Sequence, residues 1–575
     1  MASKARGRTA GKAPAVSPPG GRSSVRRSWL WLGLFAAGML VTNGVYAPAL
    51  HGPLIFDDYN LPFNNPNAAK MPAAFWIGGV RPVLMASYWV NYLISGTDTF
   101  LYHAVNLLLH SATAVIVFFL FQRILKLAGY EEKTFIPSLF GAGLFLLHPL
   151  QSESVAYIAG RSELVSGLFL LSAWLVFLNH FENNTSLATA LKILLLATIA
   201  LLGKESAISL PGVLLITDLY WKRASLQAQI RSRIRLYLPI ILGGVVAAAV
   251  IIRSLGGASG AGLSLGVTPF QYALTQCRAI LIYISLFLIP IGQSGDWQLP
   301  LYRTLADTRA WLYMFGMLAL LAGIMLSYRR APLFSFGLAA FLVLLMPTSS
   351  VLPIKDALAE RRMYVPIIGL ILALLGIVNS FRLDSALLRL GAIVLLTTAA
   401  GLTYQRSRIW GDDIVFWQDV IRGNPSNSRA HLGLGGSYMN HRRFAEAIKE
   451  YDLVGSLAGP QEDIILNRIV AYEYNGNFDL ALDGLHKLAA MHPTASTYHH
   501  IGHVEAYLRQ AKEALAAFDL ALSLDPNYVP ALVERGRVRV ATGDYQNARA
   551  DFQRALEIEP DNGAAVDGLA KLVGR

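Results

Sequence analysis

Long apolar runs fill the N-terminal part of the chain and predict a helical membrane domain. About 20 apolar residues are needed for a helix to cross a bilayer, so the shorter runs have soft boundaries. Between the first two runs, residues 48–101 form a long loop, in which Arg81 to Gly96 is amphipathic and predicts a helix at the membrane interface. The apolar runs lie near 29–47, 102–124, 135–150, 162–180, 187–203, 206–221, 236–253, 271–291, 310–327, 332–347, 363–380 and 387–404.

From about residue 425 the pattern becomes that of a soluble repeat protein. Prolines recur at intervals of 33 to 35 residues, which is the tetratricopeptide period, at Pro425, Pro460, Pro493, Pro526 and Pro560. Gly536 and Phe552 of the last repeat match Gly502 and Phe518 of the repeat before it. The sequence therefore predicts an α-solenoid of about four repeats over 425–575, with a capping helix at 561–575 and a concave groove for extended peptides.

Composition agrees with an all-α membrane protein. Hydrophobic residues make up 54% of the chain and charged residues 15%, whereas a soluble protein carries about 25% charged residues. The single cysteine, Cys277, excludes an intramolecular disulfide framework and a cysteine-cluster metal site.

Basic residues predict the orientation of the membrane domain. The net charge is +12, but much of it lies in the tail and in short loops, which indicates topology rather than a nucleic-acid partner. We expect residues 1–28 to be a disordered cytoplasmic tail and 29–410 to be the membrane domain. The basic loops at 222–235 and 329–330 both lie on the cytoplasmic side of the membrane only if segment 271–291 is re-entrant or lies along the membrane. About eleven crossings then place the repeats outside, together with loop 48–101.

Asp57 and Asp58, in the sequence FDDY, lie in this outer loop some ten residues past the first apolar run. One of them is expected to act as a general base on an acceptor hydroxyl, while the other orients the base or the acceptor. Adjacent carboxylates repel each other, which raises the pKa of one of them. The alternative is a solvated turn, and the sequence leaves open which aspartate is the base.

The second outer loop, 148–163, holds His148, Glu153, Arg161 and Glu163 between two apolar runs. Arg161 is expected to bind a phosphate, and Glu153 to orient it or to bind a sugar hydroxyl. The alternative is that these groups only cap helices or reach toward the membrane surface.

Two further outer segments carry charge. Lys204 can neutralise a lipid phosphate, or it can form a local ion pair with Glu205. Glu360 and Arg361 lie in the sequence KDALAERRMY, where outer positive charge suits an anionic donor and the alternative is an ion-paired helix start. Arg81 completes the expected donor-site residues.

His103, Asn106 and His110 share one face of the second apolar run. Interhelical hydrogen bonding is the expected role of this face, and no metal site is expected.

Several motifs, taken in order along nearly the whole chain, resemble the transmembrane-and-tetratricopeptide O-mannosyltransferases. They are FDDY, VRPVLMASYWVNYLISG, FLYHAVNLLLH, LFLLHPLQSESVAYIAGRSEL, LLGKESAISLPGVLLITDLY and MPTSSVLPIKDALAERRMYVP. The resemblance implies a GT-C glycosyltransferase fold and a polyprenyl-phosphate sugar, mannose above all, as co-substrate. It assigns the acidic motif to Asp57 and Asp58, and the donor site to Glu153, Arg161, Lys204, Glu360 and Arg361. The array is shorter than in many relatives, and the basic tail has no counterpart, so the acceptor stays open.

The leading hypothesis is an inverting, metal-independent glycosyltransferase that acts on a protein or glycan hydroxyl and needs no further cofactor. A bacterial inner-membrane location with periplasmic repeats is expected. The main alternative is a non-catalytic scaffold whose repeats recruit envelope partners. A lipid-linked sugar flippase or polymerase is a third reading, which predicts charge along the interiors of the spans.

Overall fold

The computed structural model describes residues 21–575, with short gaps at 131–133, 183–184, 223–226, 228–230, 232, 256–265, 308, 381–384, 460 and 573–575. It covers the backbone alone at 21–28, 245–255, 379–380 and 385. The chain divides into two compact units, Met1–Gly411 and Asp412–Arg575. Residues 1–20 of the predicted disordered tail lie outside the described residues, and the first helix begins at Gly21, earlier than the predicted boundary.

Every regular element that the structure describes in the first unit is a helix. The α-helices, numbered in chain order, are α1 Gly21–Tyr46, α2 Ala73–Trp76, α3 Pro82–Ser95, α4 Thr99–Leu127, α5 Phe135–Leu147, α6 Ser152–Ala156, α7 Arg161–Asn179, α8 Leu187–Gly203, α9 Leu210–Trp221, α10 Ile234–Leu255, α11 Pro269–Leu288, α12 Ala310–Ser327, α13 Pro332–Leu345, α14 Ile367–Ser380 and α15 Ser385–Trp410. Short 3-10 turns connect several of them, including Phe56–Asn60 and Glu360–Met363.

The described helices have the length and apolar character of a membrane protein. Six are long and apolar enough to cross a membrane, namely Trp29–Ala49, Thr99–Leu127, Ile158–Asn179, Pro269–Leu288, Ala310–Ser327 and Ala386–Trp410. Shorter apolar helices cover Phe135–Leu147, Leu187–Gly203, Ile234–Gly244, Pro332–Leu345 and Ile367–Val378. The membrane class predicted from the sequence is therefore confirmed, and the number of crossings stays a prediction.

One apolar segment was expected not to cross the membrane. Segment 271–291 was expected to be re-entrant or to lie along the membrane; most of it forms the continuous 20-residue helix α11, and whether this helix crosses stays a prediction. At 1.5 Å per residue this helix is about 30 Å long, which matches the hydrocarbon core of a bilayer. Its length and composition are those of a span. Pro269 does not interrupt the helix, because it sits in the first turn, where a helix tolerates proline.

Glycines let helices of the first unit approach one another. A Cβ atom added at Gly337 of α13 would collide with the backbone of Ala373 on α14, and one at Gly369 would collide with the backbone of Phe341. Small residues at such crossings allow close backbone packing in membranes.

The predicted interface helix is present as α3. Its inner face buries Leu84 and Tyr88, while Leu93 and Ile94 are exposed on the other side. Both faces of α3 therefore carry apolar side chains, and its position at the membrane surface stays a prediction.

One basic residue of the predicted loop 222–235 forms a buried ion pair. Arg233 is buried and forms an ion pair with Asp218 of α9 at 3.2 Å. Its guanidinium also donates to the carbonyl of Phe181 at 2.7 Å. Part of this loop, including Arg223, lies outside the described residues.

The second unit consists of paired antiparallel helices. They are α16 Asp413–Gly423, α17 Ser428–Asn440, α18 Phe444–Ala458, α19 Glu462–Tyr474, α20 Phe478–Met491, α21 Ala495–Tyr507, α22 Ala511–Leu524, α23 Val529–Thr542, α24 Tyr545–Ile558 and α25 Gly563–Ala570. Four pairs from α17 to α24 match the predicted repeats, and α25 lies at the predicted cap. The unit begins at Asp412 rather than near 425, because α16 packs its Trp417 against Gly433 of the first pair.

Glycine–aromatic contacts hold the last two pairs together. A Cβ atom at Gly536 would lie 2.8 Å from the ring of Phe552, and one at Gly502 would lie 2.7 Å from the ring of Phe518. Both rings are fully buried. The pairing that the repeat register predicted is therefore the packing that the structure contains.

Candidate active site

The FDDY motif forms a 3-10 turn, Phe56–Asn60, which places its two aspartates in opposite environments. Asp58 is 1% exposed. Its Oδ1 accepts a hydrogen bond from the backbone N–H of Ala159 at 2.8 Å, and its Oδ2 accepts one from Ile55 at 3.2 Å. Asp57, by contrast, is exposed. The motif therefore contains one anchored carboxylate and one that is open to a ligand.

The electrostatics of Asp58 follow from its burial. Loss of solvent raises its pKa to about 8, and the neighbouring Asp57 charge adds to this, while the N–H groups of Ile55 and Ala159 act in the opposite direction.

The turn is strained at its first residue. Phe56 has φ of +52°, in a region that costs a non-glycine residue roughly 1–2 kcal/mol. Such strain persists only where the surrounding structure holds it.

Tyr157 provides one of these restraints, although sequence reasoning did not single it out. Its hydroxyl oxygen accepts a hydrogen bond from the backbone N–H of Asp57 at 2.9 Å. Its ring lies 5.5 Å from that of Trp410 and 6.4 Å from that of Phe56, and Asn106 donates to its carbonyl at 3.1 Å. The sequence alone does not distinguish Tyr157 from other buried aromatic residues, although Tyr157 lies in the second predicted outer loop, 148–163.

Glu153 pairs with Arg361 rather than with Arg161. The carboxylate accepts from the Arg361 guanidinium, and its second oxygen accepts from the backbone N–H of Arg361 at 2.9 Å. Glu153 is 3% exposed, whereas the side chain of Arg361 is 26% exposed. The arginine that Glu153 contacts is therefore a residue some 200 positions away in the sequence.

Lys204 and Glu205 do not pair with each other. Lys204 forms a buried ion pair with Glu163 at the start of α7. Glu205 instead accepts two hydrogen bonds from the guanidinium of Arg81, at 2.6 and 2.9 Å. The local Lys204–Glu205 pair, which was the alternative for this turn, is therefore wrong.

The Arg81–Glu205 pair is the most accessible of the three cation–carboxylate pairs. Its side chains are 36% and 42% exposed. Burial by itself would raise the pKa of Glu205, but the Arg81 charge outweighs it and holds the pKa at about 2. Burial lowers the pKa of Lys204, and Glu163 acts against that effect.

Arg161 is enclosed behind this cluster. Its guanidinium donates to the side chains of Asn106 and Asn91 at 2.9 and 2.5 Å, and to the carbonyls of Tyr102 and Ser87 at 2.8 and 3.2 Å. Because the side chain is fully buried, this geometry gives no support to the expected contact with a phosphate. Arg161 holds α7 against α3 and α4.

His148 and Glu360 are also enclosed. A ring nitrogen of His148 is 3.0 Å from the carbonyl oxygen of Phe287, and burial lowers the pKa of His148 to about 4. Glu360 accepts from the side chain of Gln293 at 2.5 Å, the backbone N–H of Ser294 at 2.8 Å and the indole of Trp297 at 3.0 Å. Glu360 therefore anchors the loop after α11, and burial raises its pKa to about 7.

The polar face of α4 has the predicted interhelical role. Asn106 donates to the carbonyls of Val155 and Tyr157, and His110 bonds to the hydroxyl of Tyr364. Among the residues that the structure describes, no three His, Cys, Asp or Glu side chains are grouped as metal ligands would be.

The motifs of the predicted outer loops thus converge although they are far apart in the sequence. Asp57 is joined through Tyr157 and α6 to the Glu153–Arg361 pair. Tyr157 lies within electrostatic range of Asp57 and Arg361. The cluster therefore contains one exposed carboxylate, that of Asp57, and two partly exposed guanidinium groups, those of Arg361 and Arg81.

Comparisons with known proteins agree with both units. Tetratricopeptide repeat families match residues 416–455 and 501–570. A protein O-mannosyl-transferase of Caenorhabditis elegans is 23% identical over 430 residues, which cover 71% of this chain and 60% of that protein. The human protein O-mannosyl-transferase TMTC3 is 23% identical over 538 residues, covering 84% of this chain and 58% of that protein. The chain is a relative of these transferases.

The resemblance noted in the motifs is therefore confirmed, and tetratricopeptide repeats are present as predicted. The chain spans about three-fifths of the length of the curated relatives that it matches. Among solved structures, MamA is 22% identical with a TM-score of 0.25, covering 27% of this chain and 91% of that one. At that score, the likeness to MamA adds nothing to the assignment.

Proposed function

We propose that the chain is a membrane glycosyltransferase that transfers mannose from a polyprenyl-phosphate donor to a protein hydroxyl. The names of its relatives support the transferase class and a protein acceptor. A GT-C architecture, an inverting displacement and independence from metal ions are parts of this proposal.

The observation that carries the proposal is the convergence of outer motifs on one cluster. Hydrogen bonds and ion pairs join residues 57–58, 153–163, 204–205 and 360–361 within the first unit. A scaffold that served only to anchor the repeats would not need an open carboxylate beside paired cations. Charged groups at such positions in membrane proteins are costly and mark sites of function.

Asp57 is the base in this proposal. Its carboxylate is exposed, whereas both oxygens of Asp58 are occupied by backbone N–H groups. Asp57 takes the proton of the acceptor hydroxyl as its oxygen attacks the anomeric carbon of the sugar. The bond from that carbon to the phosphate oxygen breaks, and the electron pair leaves with the polyprenyl phosphate. A single displacement of this kind inverts the configuration at the anomeric carbon.

Arg361 stabilises the departing phosphate. Glu153 holds one edge of its guanidinium, and in the part of the chain that the structure describes the Nε and the second terminal nitrogen make no hydrogen bond. A guanidinium fixed on one edge and open on the other is preorganised for a phosphate oxygen. Lys204 and Arg81 belong to the same cluster, where each is paired with a carboxylate. Because the leaving group departs as an anion, the step needs no acid.

The tetratricopeptide repeats bind the polypeptide acceptor in this account. Such arrays present extended surfaces to peptides, and a bound polypeptide would reach the transfer site at a raised effective concentration. The proposed setting is the outer face of a bacterial inner membrane, where polyprenyl-phosphate sugars serve as donors.

The test is transfer of labelled mannose from polyprenyl-phosphate mannose to unfolded polypeptide by the purified full chain in lipid nanodiscs. Arg361→Lys keeps a charge for Glu153 but loses the planar donors. We expect its turnover to fall on the order of 10²-fold. Arg422→Gln, at an exposed position of the second unit, is the control and should transfer at the wild-type rate.

Absence of transfer by the wild type with mannose, glucose and N-acetylglucosamine donors would favour the scaffold hypothesis. Transfer that is equally fast in Arg361→Lys would leave the enzyme class intact but would remove Arg361 from the phosphate.

A further inference from the structure

A short segment of the second outer loop contacts the acidic turn at two points. The hydroxyl of Tyr157 accepts from the N–H of Asp57, and the N–H of Ala159 donates to Asp58. The same segment includes α6, whose Glu153 binds Arg361. Residues 153–159 therefore connect the proposed base with the proposed phosphate-binding residue.

Of the two contacts, that of Tyr157 is the one made to the residue that carries the open carboxylate. Asp58 fixes the turn from inside, whereas Tyr157 fixes the peptide group that leads into Asp57. The adjacent residue, Phe56, is held at a positive φ. Without the acceptor on Tyr157, the peptide N–H of Asp57 is free to rotate, and the strained turn has fewer restraints.

Tyr157 itself is rigidly placed. It is 3% exposed, its ring lies against Trp410 and Phe56, and its carbonyl is held by Asn106. The contacts to the ring and to the backbone carbonyl together fix the position of the hydroxyl.

We propose that Tyr157 is a positioning residue, whose hydroxyl aims the carboxylate of Asp57 at the acceptor hydroxyl. This inference rests on the proposed function. It assigns to Tyr157 a role that the ring alone does not fulfil, because burial of the ring explains packing but not the bond to Asp57. A misplacement of about 1 Å at a reacting group costs up to about 10²-fold in rate.

The experiment is a double-mutant cycle on the full chain in nanodiscs, with Tyr157→Phe and Asp57→Asn alone and combined. Tyr157→Phe keeps the ring and removes the acceptor for the Asp57 N–H. We expect its kcat to fall on the order of 10-fold, with the KM for the lipid donor within about twofold of the wild-type value. In the Asp57→Asn background, Tyr157→Phe should have no further effect, because the group it positions is gone.

Tyr237→Phe is the matched control. Tyr237 is also buried, and its hydroxyl donates to Asp218 at 2.8 Å, outside the cluster. We expect it to keep the wild-type kcat even if its thermal midpoint falls as much as that of Tyr157→Phe.

The outcomes separate the inference from the function on which it rests. If the wild type transfers and Asp57→Asn is slow, but Tyr157→Phe turns over at the wild-type rate, the inference is wrong and the function stands. Equal losses from Tyr157→Phe in both backgrounds would also overturn it, because Tyr157 would then act independently of Asp57. If the wild type transfers nothing, the proposed function is wrong, and the inference that rests on it is wrong as well.

Discussion

At the scale of single residues, the main result is that neighbours in the sequence have opposite environments in space. Asp57 and Asp58 were predicted together as a base and its helper, and the sequence left open which was which. The 3-10 turn directs Asp58 inward to two N–H groups and leaves Asp57 open, and on this ground we propose Asp57 as the base.

Pairing partners were the least predictable feature at this scale. The charged residues of the predicted outer loops were singled out from the sequence because positive charge is unusual in loops on that side of a membrane. Their partners were not, because Glu153 reaches Arg361 and Arg81 reaches Glu205 across more than a hundred positions. Only the fold brings these groups together.

Glu360 gives the first prediction at this scale. Its pKa is raised from 4.5 to about 7, so the folded chain binds a proton that the unfolded chain has released. Between those values the free energy of unfolding should fall as pH rises, by at most about 1.4 kcal/mol per pH unit. Glu360→Gln cannot ionise and should lack this part of the pH dependence.

Thermal midpoints of both proteins in detergent, measured from pH 4.5 to 7.5, provide the check. The midpoint of the wild type should decline relative to that of Glu360→Gln over this range. A difference between the two that stays constant with pH would show that Glu360 does not titrate there.

At the scale of helices, apolar periodicity predicted most of the first unit. It failed where the start of a helix is decided by something other than hydropathy. Segment 206–221 divides into a 3-10 turn, Glu205–Ser209, and helix α9, because Pro211 favours a first turn there. Segment 271–291 was expected not to cross in order to balance loop charges; it contains the continuous helix α11, and its path through or along the membrane stays a prediction.

The repeat unit was predicted in finer detail, because its glycine and aromatic positions recur. Helix α16 was the exception, since it precedes the first proline of the repeat register, although the match to a tetratricopeptide repeat family begins within it, at residue 416.

Two glycines of the repeats give a matched prediction. Gly536→Ala places a methyl group 2.8 Å from the buried ring of Phe552, while Gly455→Ala in α18 meets nothing within 4 Å. The first should destabilise the repeats by roughly 1–3 kcal/mol through overpacking. The second should stabilise them by about 0.5–1 kcal/mol, because alanine is the better helix former.

Urea unfolding of the soluble fragment 412–575, followed by circular dichroism, measures both changes. Equal effects of the two substitutions would contradict the packing described for α23 and α24.

At the scale of the whole molecule, the chain joins a membrane unit that carries an open carboxylate to a repeat unit that suits polypeptides. The order of the two units and the class of each were predictable from the change of periodicity near residue 425. The chemistry was predictable only as a set of candidate residues, of which the structure leaves Asp57, Arg361 and Arg81 open to a ligand.

The most direct test of the account compares Asp57→Asn with Asp58→Asn, in mannose transfer per folded molecule and in thermal midpoint. We predict that Asp57→Asn loses on the order of 10²–10⁴ in kcat while keeping the wild-type midpoint, because it removes the base from an exposed position. Asp58→Asn should lower the midpoint, since asparagine cannot accept both N–H bonds, and should lose less in kcat. Wild-type turnover by Asp57→Asn would contradict the account, because the open carboxylate would then take no part in transfer.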